Sequence, residues 1–336
     1  MPPLTTSSDR LGFVAIGRNE GDRLKACLRA IKLHCPGCPI VYVDSGSSDD
    51  SVEFALSEKL TVVELDMTVP FTAARARNEG YRRLLSQHPN LTFVQFFDGD
   101  CEMVEGWIDA AMKALGADPK IGIVSGRRME KFLNASIYNT LMDIEWNTPV
   151  GETRAVLGDM CVRVEAFELV GGFDGSIIAA EDDDFCIRVR KAGYKVYRID
   201  APMSRHDANI MSISQWYRRS KRGGHGYANL NHVHGGKPDY YFRKELMSVT
   251  FWGALFPLSA LIFLIVQPWV SLALVLIYAL FIVKTLVRRK RKGDSLKVAF
   301  YYAFLIYTGK TAEFLGGLQY WKNLLLAQKH QLIEYK

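Results

Sequence analysis

The chain of 336 residues is 49% hydrophobic and 12% aromatic, and its 42 Lys and Arg against 36 Asp and Glu leave a formal net charge of +6. These values exclude a disordered chain, a disulfide-stapled miniprotein and a collagenous repeat, and the length allows roughly two units of about 150 residues. The apolar residues are unevenly shared: Val249 to Val287 runs almost without a charge, whereas the stretch before Lys244 has a mixed composition, so one part is made for water and the next for lipid.

The N-terminus, MPPLTTSSDR, has neither a basic start nor an apolar core and reads as a flexible segment, residues 1–10, with no secretory signal. The domain that follows is therefore expected in the cytoplasm, where the six cysteines would remain thiols. Cys35-Pro-Gly-Cys38 has no second CxxC and no His pair beside it, so it reads as two loop thiols.

Phe13 to Ile16 is a short β-prone run, followed by helical spacing from Arg23 to Ile31. Ile40 to Val43 is the next strand, closed by the polar cluster Asp44 to Ser51; Thr61 to Leu65 is a third, Ala73 to Leu85 a helix with a basic face, and Phe93 to Phe97 a fourth strand ending at Asp98. This alternation predicts an α/β fold built on βαβ units and a parallel sheet, with ligands bound beyond the carboxyl ends of the strands. The polar residues there are Arg18-Asn19-Glu20, Asp44-Ser45-Gly46-Ser47 and Asp98-Gly99-Asp100. After Ile121 to Val124 the pattern loosens into an α+β region, with strands expected near Ala155 to Leu157 and Lys195 to Ile199.

Residues 212–245 form a basic and aromatic connector. Val249 to Val266 has no charge and Pro268 to Val287 has only Lys284; each is long enough to cross ~30 Å of hydrocarbon. With only Gln267-Pro268 between them they read as a transmembrane hairpin over residues 246–287, and Arg288 to Lys292 marks its cytoplasmic side. A third run, Val298 to Leu318, carries Lys310 and Glu313 near its middle and is expected to be interfacial or re-entrant, within a membrane-associated region 288–336.

Two acidic constellations carry chemistry. Asp98-Gly99-Asp100 offers two carboxylates at a strand end, the ligand type that Mg²⁺ or Mn²⁺ shares with substrate phosphates. Glu181-Asp182-Asp183-Asp184 is a run of four acids that repel one another unless cations or helix N-terminal amides receive them. The preceding Gly171-Gly172-Phe173-Asp174 marks a turn able to deliver the run into a cleft.

Taken in order, Arg18-Asn19-Glu20, Asp44-Ser45-Gly46-Ser47-Ser48-Asp49, Ala74-Arg75-Ala76-Arg77-Asn78-Glu79-Gly80, Asp98-Gly99-Asp100, Gly171-Gly172-Phe173-Asp174 and Glu181 to Asp184 resemble the motifs of family 2 inverting glycosyltransferases of the GT-A fold, over about residues 11 to 208. The resemblance implies a Rossmann-like mixed sheet flanked by helices over residues 11–211, followed by C-terminal membrane helices. It implies that Glu20 and Asp44 contact the nucleoside, that Arg77 lies near the diphosphate of a nucleotide-diphosphate sugar, and that Asp98 binds the ribose or the metal. Asp100 and His206 would hold a divalent cation, Mg²⁺ or Mn²⁺, and Asp182 would be the general base, supported by Glu181 and Asp184. Two departures touch the nucleotide pocket: Ser45 stands where the family usually has a second acid, and Gly17-Arg18 where it has Pro-Thr.

Gln215 to Tyr227 only loosely matches the Gln-x-x-Arg-Trp signature of processive synthases, which favours addition of a single sugar. A basic, aromatic segment beside membrane helices suits membrane lipid and a polyprenyl-diphosphate-linked acceptor rather than nucleic acid. The expected setting is the bacterial inner membrane, with the catalytic domain facing the cytoplasm and making exopolysaccharide, capsule or lipopolysaccharide.

Overall fold

A computed structural model describes residues 10–326, so the expected flexible N-terminus and the last ten residues lie outside the described residues, apart from Arg10. The chain divides into two compact units: residues up to 132 together with 142–208, and residues 133–141 together with 209 onward.

The first unit begins with strand Leu11–Gly17 (β1), helix Asp22–His34 (α1), strand Ile40–Asp44 (β2), helix Ser51–Ser57 (α2), strand Thr61–Glu64 (β3), helix Ala73–Gln87 (α3) and strand Phe93–Asp98 (β4). These four strands are parallel in the order β3-β2-β1-β4. Successive residues of β1 point to opposite faces: Phe13 and Ala15 join a core with Leu24, Leu28 and Tyr42, while Val14 and Ile16 join another with Val43, Leu84 and Phe96. Both faces are covered, which is why these strands read as nearly continuous apolar runs.

Strand Cys101–Met103 (β5) and helix Trp107–Ala117 (α4) precede strand Ile121–Glu130 (β6); helix Ile137–Trp146 (α5) then straddles the boundary between the units. Strands Gly151–Glu152 (β7) and Met160–Arg163 (β8), helices Val164–Leu169 (α6) and Glu181–Lys191 (α7) and strand Lys195–His206 (β9) complete the first unit. The full order is β3-β2-β1-β4-β8-β6-β9-β5, with β7 also on β9. The β4–β8, β6–β8 and β5–β9 pairs are antiparallel, giving the mixed sheet that the family resemblance implies.

Two local expectations are corrected. Ala155 to Leu157 is irregular and the strand lies at Met160–Arg163, because Ala155 and Val156 are apolar for packing against the core and not for strand pairing. Cys35 and Cys38 are joined in a disulfide that closes the turn after α1, whereas Cys27, Cys101, Cys161 and Cys186 are free and buried.

In the second unit the expected connector is mostly one helix, Ile213–His234 (α8), started by a capping box between Ser212 and Gln215. Helix Arg243–Thr250 (α9) continues through a π-turn, Phe251–Leu255, into helix Phe256–Val266 (α10), and helix Pro268–Arg291 (α11) follows Gln267 directly. The continuous stretches Arg243–Val266 and Pro268–Arg291, 24 residues each, are long and apolar enough to cross a membrane. Their apolar side chains face outward, with Ile265 87% and Trp269 79% exposed, which does not suit a buried core hairpin of a water-soluble protein.

The third apolar run is one unbroken helix, Leu296–Leu325 (α12), which leaves no bend for a re-entrant loop. It lies against α8 and the π-turn through glycines. A Cβ on Gly224 would fall within 2.5 Å of the Glu313 backbone, and one on Gly253 or Gly316 would meet the Lys310 or Lys221 carbonyl. Lys310 and Glu313 neutralise each other at 2.7 Å.

Candidate active site

Asp44 ends β2, and the chain wraps round it. Tyr42 Oη and Ser47 Oγ donate to Oδ1 at 2.8 and 2.5 Å, and the Gly46 and Ser47 amides donate to Oδ2 at 2.9 and 2.8 Å. With each oxygen accepting two hydrogen bonds, Asp44 fixes the shape of its loop. The loop after β1 is tied to this one: Asn19, at positive φ, accepts from the Ser48 amide at 2.7 Å, and the Gly21 amide donates to Asp49 at 3.0 Å. Glu20 leans back over the strand ends and pairs with Arg23 at 2.8 Å. Gly99 makes this approach possible, because its missing Cβ would lie 3.1 Å from the Ile16 carbonyl and 3.3 Å from Glu20 Cγ.

Helix α3 places two consecutive side chains. Asn78 donates to the Phe173 carbonyl at 2.8 Å and accepts from its amide at 2.9 Å, clamping a loop whose Gly171 and Gly172 both have positive φ. Arg77 is buried and forks, with Nη1 donating to Glu181 and Nη2 to Asp98, each at 2.7 Å. Burial opposes its charge, but Asp98 and then Glu181 outweigh that and hold its proton more firmly than water would. Gly158 makes room for this side chain, since a Cβ there would sit 2.2 Å from Nη2.

The acidic run forms the first turn of α7, where the helix dipole favours anions. Its members do different things. Glu181 takes Arg77, and Asp184 takes the fork of Arg188, whose other end donates to the Val170 and Gly172 carbonyls. Asp182 is half-buried and forms no salt bridge among the described residues. Burial first and the Glu181 charge second push its pKa up to about 6, against the pull of Arg77.

The β5–β9 ladder pairs Cys101 with His206 and thereby sets His206 Nε2 3.2 Å from Asp100 Oδ1. Asp98 is half-open at 31% side-chain exposure; burial raises its pKa, but Arg77 and then Arg128 outweigh it, and the carboxyl stays below its ordinary range. Cys101 lies beside Asp100 and His206 in one cluster of possible ligand atoms, and burial pushes its thiol well above its ordinary pKa.

The structure thus brings Arg77, Asp98, Asp100, Glu181, Asp182 and His206 together, and places Glu20 and Asp44 in the two interlocked loops beside them. Sequence reasoning missed Gly158, Arg128, Asp159 and Trp146. Arg128 forms a two-pronged pair with the fully buried Asp159 and lies 3.7 Å from Asp98, beneath the Trp146 ring. No local spacing marks these residues, because β4, β6 and β8 meet only in the folded sheet.

Comparison with known proteins agrees with this architecture. The family Glycosyl transferase family 2 matches residues 14–159, and Glycosyl transferase family group 2 matches residues 113–287, just over half of the chain. The chain belongs to the family 2 glycosyltransferases, and it is an enzyme of that class. Its structure is similar to that of the mannosyltransferase PcManGT from Pyrobaculum calidifontis in complex with GDP-Man and Mn²⁺, with a TM-score of 0.57 and 19% identity, covering 94% of this chain and 87% of that one. A weaker likeness, TM-score 0.49 and 12% identity, is to S. aureus TarS 1–349, covering 89% and 92% of the two chains. No curated protein matches the chain by sequence. The fold resemblance is therefore to the GT-A glycosyltransferases.

Proposed function

We propose that this enzyme moves one sugar from a nucleotide-diphosphate sugar to an acceptor carried at a membrane surface, with inversion at the anomeric carbon. The observation that supports the reading is the Arg77 fork, which joins the Asp98-Gly99-Asp100 turn to the first turn of α7, the helix turn that also carries Asp182.

The donor set fits a divalent cation. Asp100 and His206 offer a carboxylate oxygen and an imidazole nitrogen 3.2 Å apart, both buried, with the partly exposed Asp98 nearby. Hard oxygen ligands suit Mg²⁺ and Mn²⁺, and the imidazole tips the choice toward Mn²⁺. A cation held by Asp100 and His206 would supply positive charge to offset the negative charge that builds on the leaving diphosphate.

The protein's own groups divide the remaining work. The Glu20 and Asn19 loop, locked to the loop shaped by Asp44, forms the nucleoside side of the pocket. Arg77 fixes Asp98 and adds a buried cation on the diphosphate side. Asp182, ionised above about pH 6, accepts the proton of the acceptor hydroxyl as that oxygen attacks the anomeric carbon and the bond to the diphosphate breaks. One displacement suffices, and no covalent nucleophile is required.

The two long apolar helices and the cations ending α11 support a membrane anchor with the first unit on the cytoplasmic face of a bacterial inner membrane. A polyprenyl-diphosphate-linked acceptor suits that setting, as does the synthesis of exopolysaccharide, capsule or lipopolysaccharide. The test is a panel of nucleotide sugars screened with Mn²⁺ for thermal stabilisation and for transfer to polyprenyl-linked acceptors. One donor should stabilise the protein and yield a single-sugar product; stabilisation by none would refute the reading.

A further inference from the structure

The buried ion pair between Arg128 on β6 and Asp159, just before β8, is not accounted for by the chemistry above. Arg128 Nε donates to Asp159 Oδ2 at 3.0 Å and Nη2 lies 2.9 Å from Oδ1, while Ser204 Oγ on β9 donates to Oδ2 at 2.8 Å. Asp159 has no solvent exposure, so the negative end of the pair is sealed inside the sheet. The positive end is buried too, but Nη2 makes no hydrogen bond among the described residues and faces Asp98 Oδ2 at 3.7 Å, the oxygen not held by Arg77. Trp146 covers the guanidinium at 5.6 Å and packs edge-on against His206 at 4.6 Å, so one ring fixes both.

We propose that Arg128 is a positioning residue of the donor site: with Asp159 it forms a fixed dipole whose positive end brackets Asp98 and favours the diphosphate of the donor over the bare metal ion. The pair is neutral as a whole, so it adds no net charge to the acidic cleft. It acts through orientation, and a dipole held by the fold needs no rearrangement when the anionic donor arrives. Burial opposes the Arg128 charge, but Asp159 keeps the guanidinium protonated more firmly than water would. This inference rests on the donor-site reading given above.

Arg128→Met with Asp159→Leu tests it, because replacing both members of a buried pair by apolar groups is often neutral for stability. Mn²⁺ alone is titrated by electron paramagnetic resonance, then UDP and GDP by calorimetry with Mn²⁺ present. Wild-type protein that binds neither Mn²⁺ nor nucleotide would refute the donor-site reading itself. If the wild type binds both, the double variant should hold Mn²⁺ as tightly or more tightly, while nucleoside diphosphate binding weakens by about tenfold and donor KM rises with kcat nearly unchanged. A folded double variant with unchanged nucleotide affinity would overturn the proposal, as would parallel loss of metal and nucleotide. Should the double variant fail to fold, Ser204→Ala carries the test: loss of the hydroxyl that steadies Asp159 should weaken nucleotide by about threefold and leave Mn²⁺ unchanged, and no effect on nucleotide overturns the proposal.

Discussion

Arg77 meets Asp98 at 2.7 Å with only 3% of its own side chain exposed, and the same guanidinium holds Glu181. The two acidic motifs, 80 or more residues apart in the chain, are thus joined through one cation. Arg77→Met removes it and leaves Glu181 buried and unpaired beside a half-open Asp98. Breaking a buried pair typically costs about 3–5 kcal/mol, and the partial exposure of Asp98 puts the loss toward the lower figure. Thermal melting should show it, together with near-complete loss of transfer. Arg77→Lys keeps the charge but not the fork, so it should recover part of the stability and little of the activity.

Asp182 sets the pH dependence. Its folded-state pKa, about 6, lies above the ordinary Asp value of 3.8, so the base is protonated and idle below about pH 6. The ratio kcat/KM should fall tenfold per pH unit below that point and level off above it. Asp182→Asn should lower transfer by about 10²–10⁴-fold while nucleotide binding persists. The same shift has a stability consequence of opposite sign: ionising Asp182 in the folded protein is unfavourable, and that penalty is present above the folded pKa and absent below the unfolded one. Asp182→Asn should therefore melt higher than wild type at pH 8 and show no such gain near pH 4.

Asp100 and His206 form the proposed metal pair. Mutation of even an outer partner of a metal site costs about 10–100-fold in affinity, so Asp100→Ala and His206→Ala should each weaken Mn²⁺ binding by at least that much. Electron paramagnetic titration of the free ion reads this directly. Asp98→Asn provides the contrast: with one oxygen on Arg77 and the other facing Arg128, Asp98 should matter more to nucleotide binding than to Mn²⁺ alone. Equal loss of Mn²⁺ binding in Asp98→Asn and Asp100→Ala would contradict that division.

The parallel half of the sheet was legible because β1, β2 and β4 are largely apolar on both faces and β2 and β4 end on the polar residues Asp44 and Asp98. The acidic run was legible as a feature but not in its division of labour. Which of four neighbouring acids takes Arg77, which takes Arg188 and which is left for chemistry depends on the helical turn that begins at Glu181. Arg128 and Asp159 were invisible, since their partners lie on other strands. Helix α8 was hidden for another reason: Gly223, Gly224 and Gly226 lower helix propensity, and they are offset by contacts with α12 that no local pattern shows.

Those glycines yield a test within a single helix. Gly223 and Gly224 are adjacent in α8, yet a Cβ on Gly223 meets nothing within 4 Å, whereas one on Gly224 would lie 1.8 Å from the Glu313 carbonyl oxygen. In the first case Ala replaces Gly in an open helical position and should stabilise the helix by about 0.5–1 kcal/mol. In the second the obstacle is backbone of another helix and cannot swing aside as a side chain would. Gly224→Ala must push α8 and α12 apart, and overpacking of this kind costs about 1–3 kcal/mol or more. Gly316→Ala, facing the Lys221 carbonyl at 1.9 Å, should behave like Gly224→Ala. Melting in detergent should therefore order the variants with Gly223→Ala at or above wild type and the other two below it. Equal melting of Gly223→Ala and Gly224→Ala would show that α8 and α12 are not held at backbone contact.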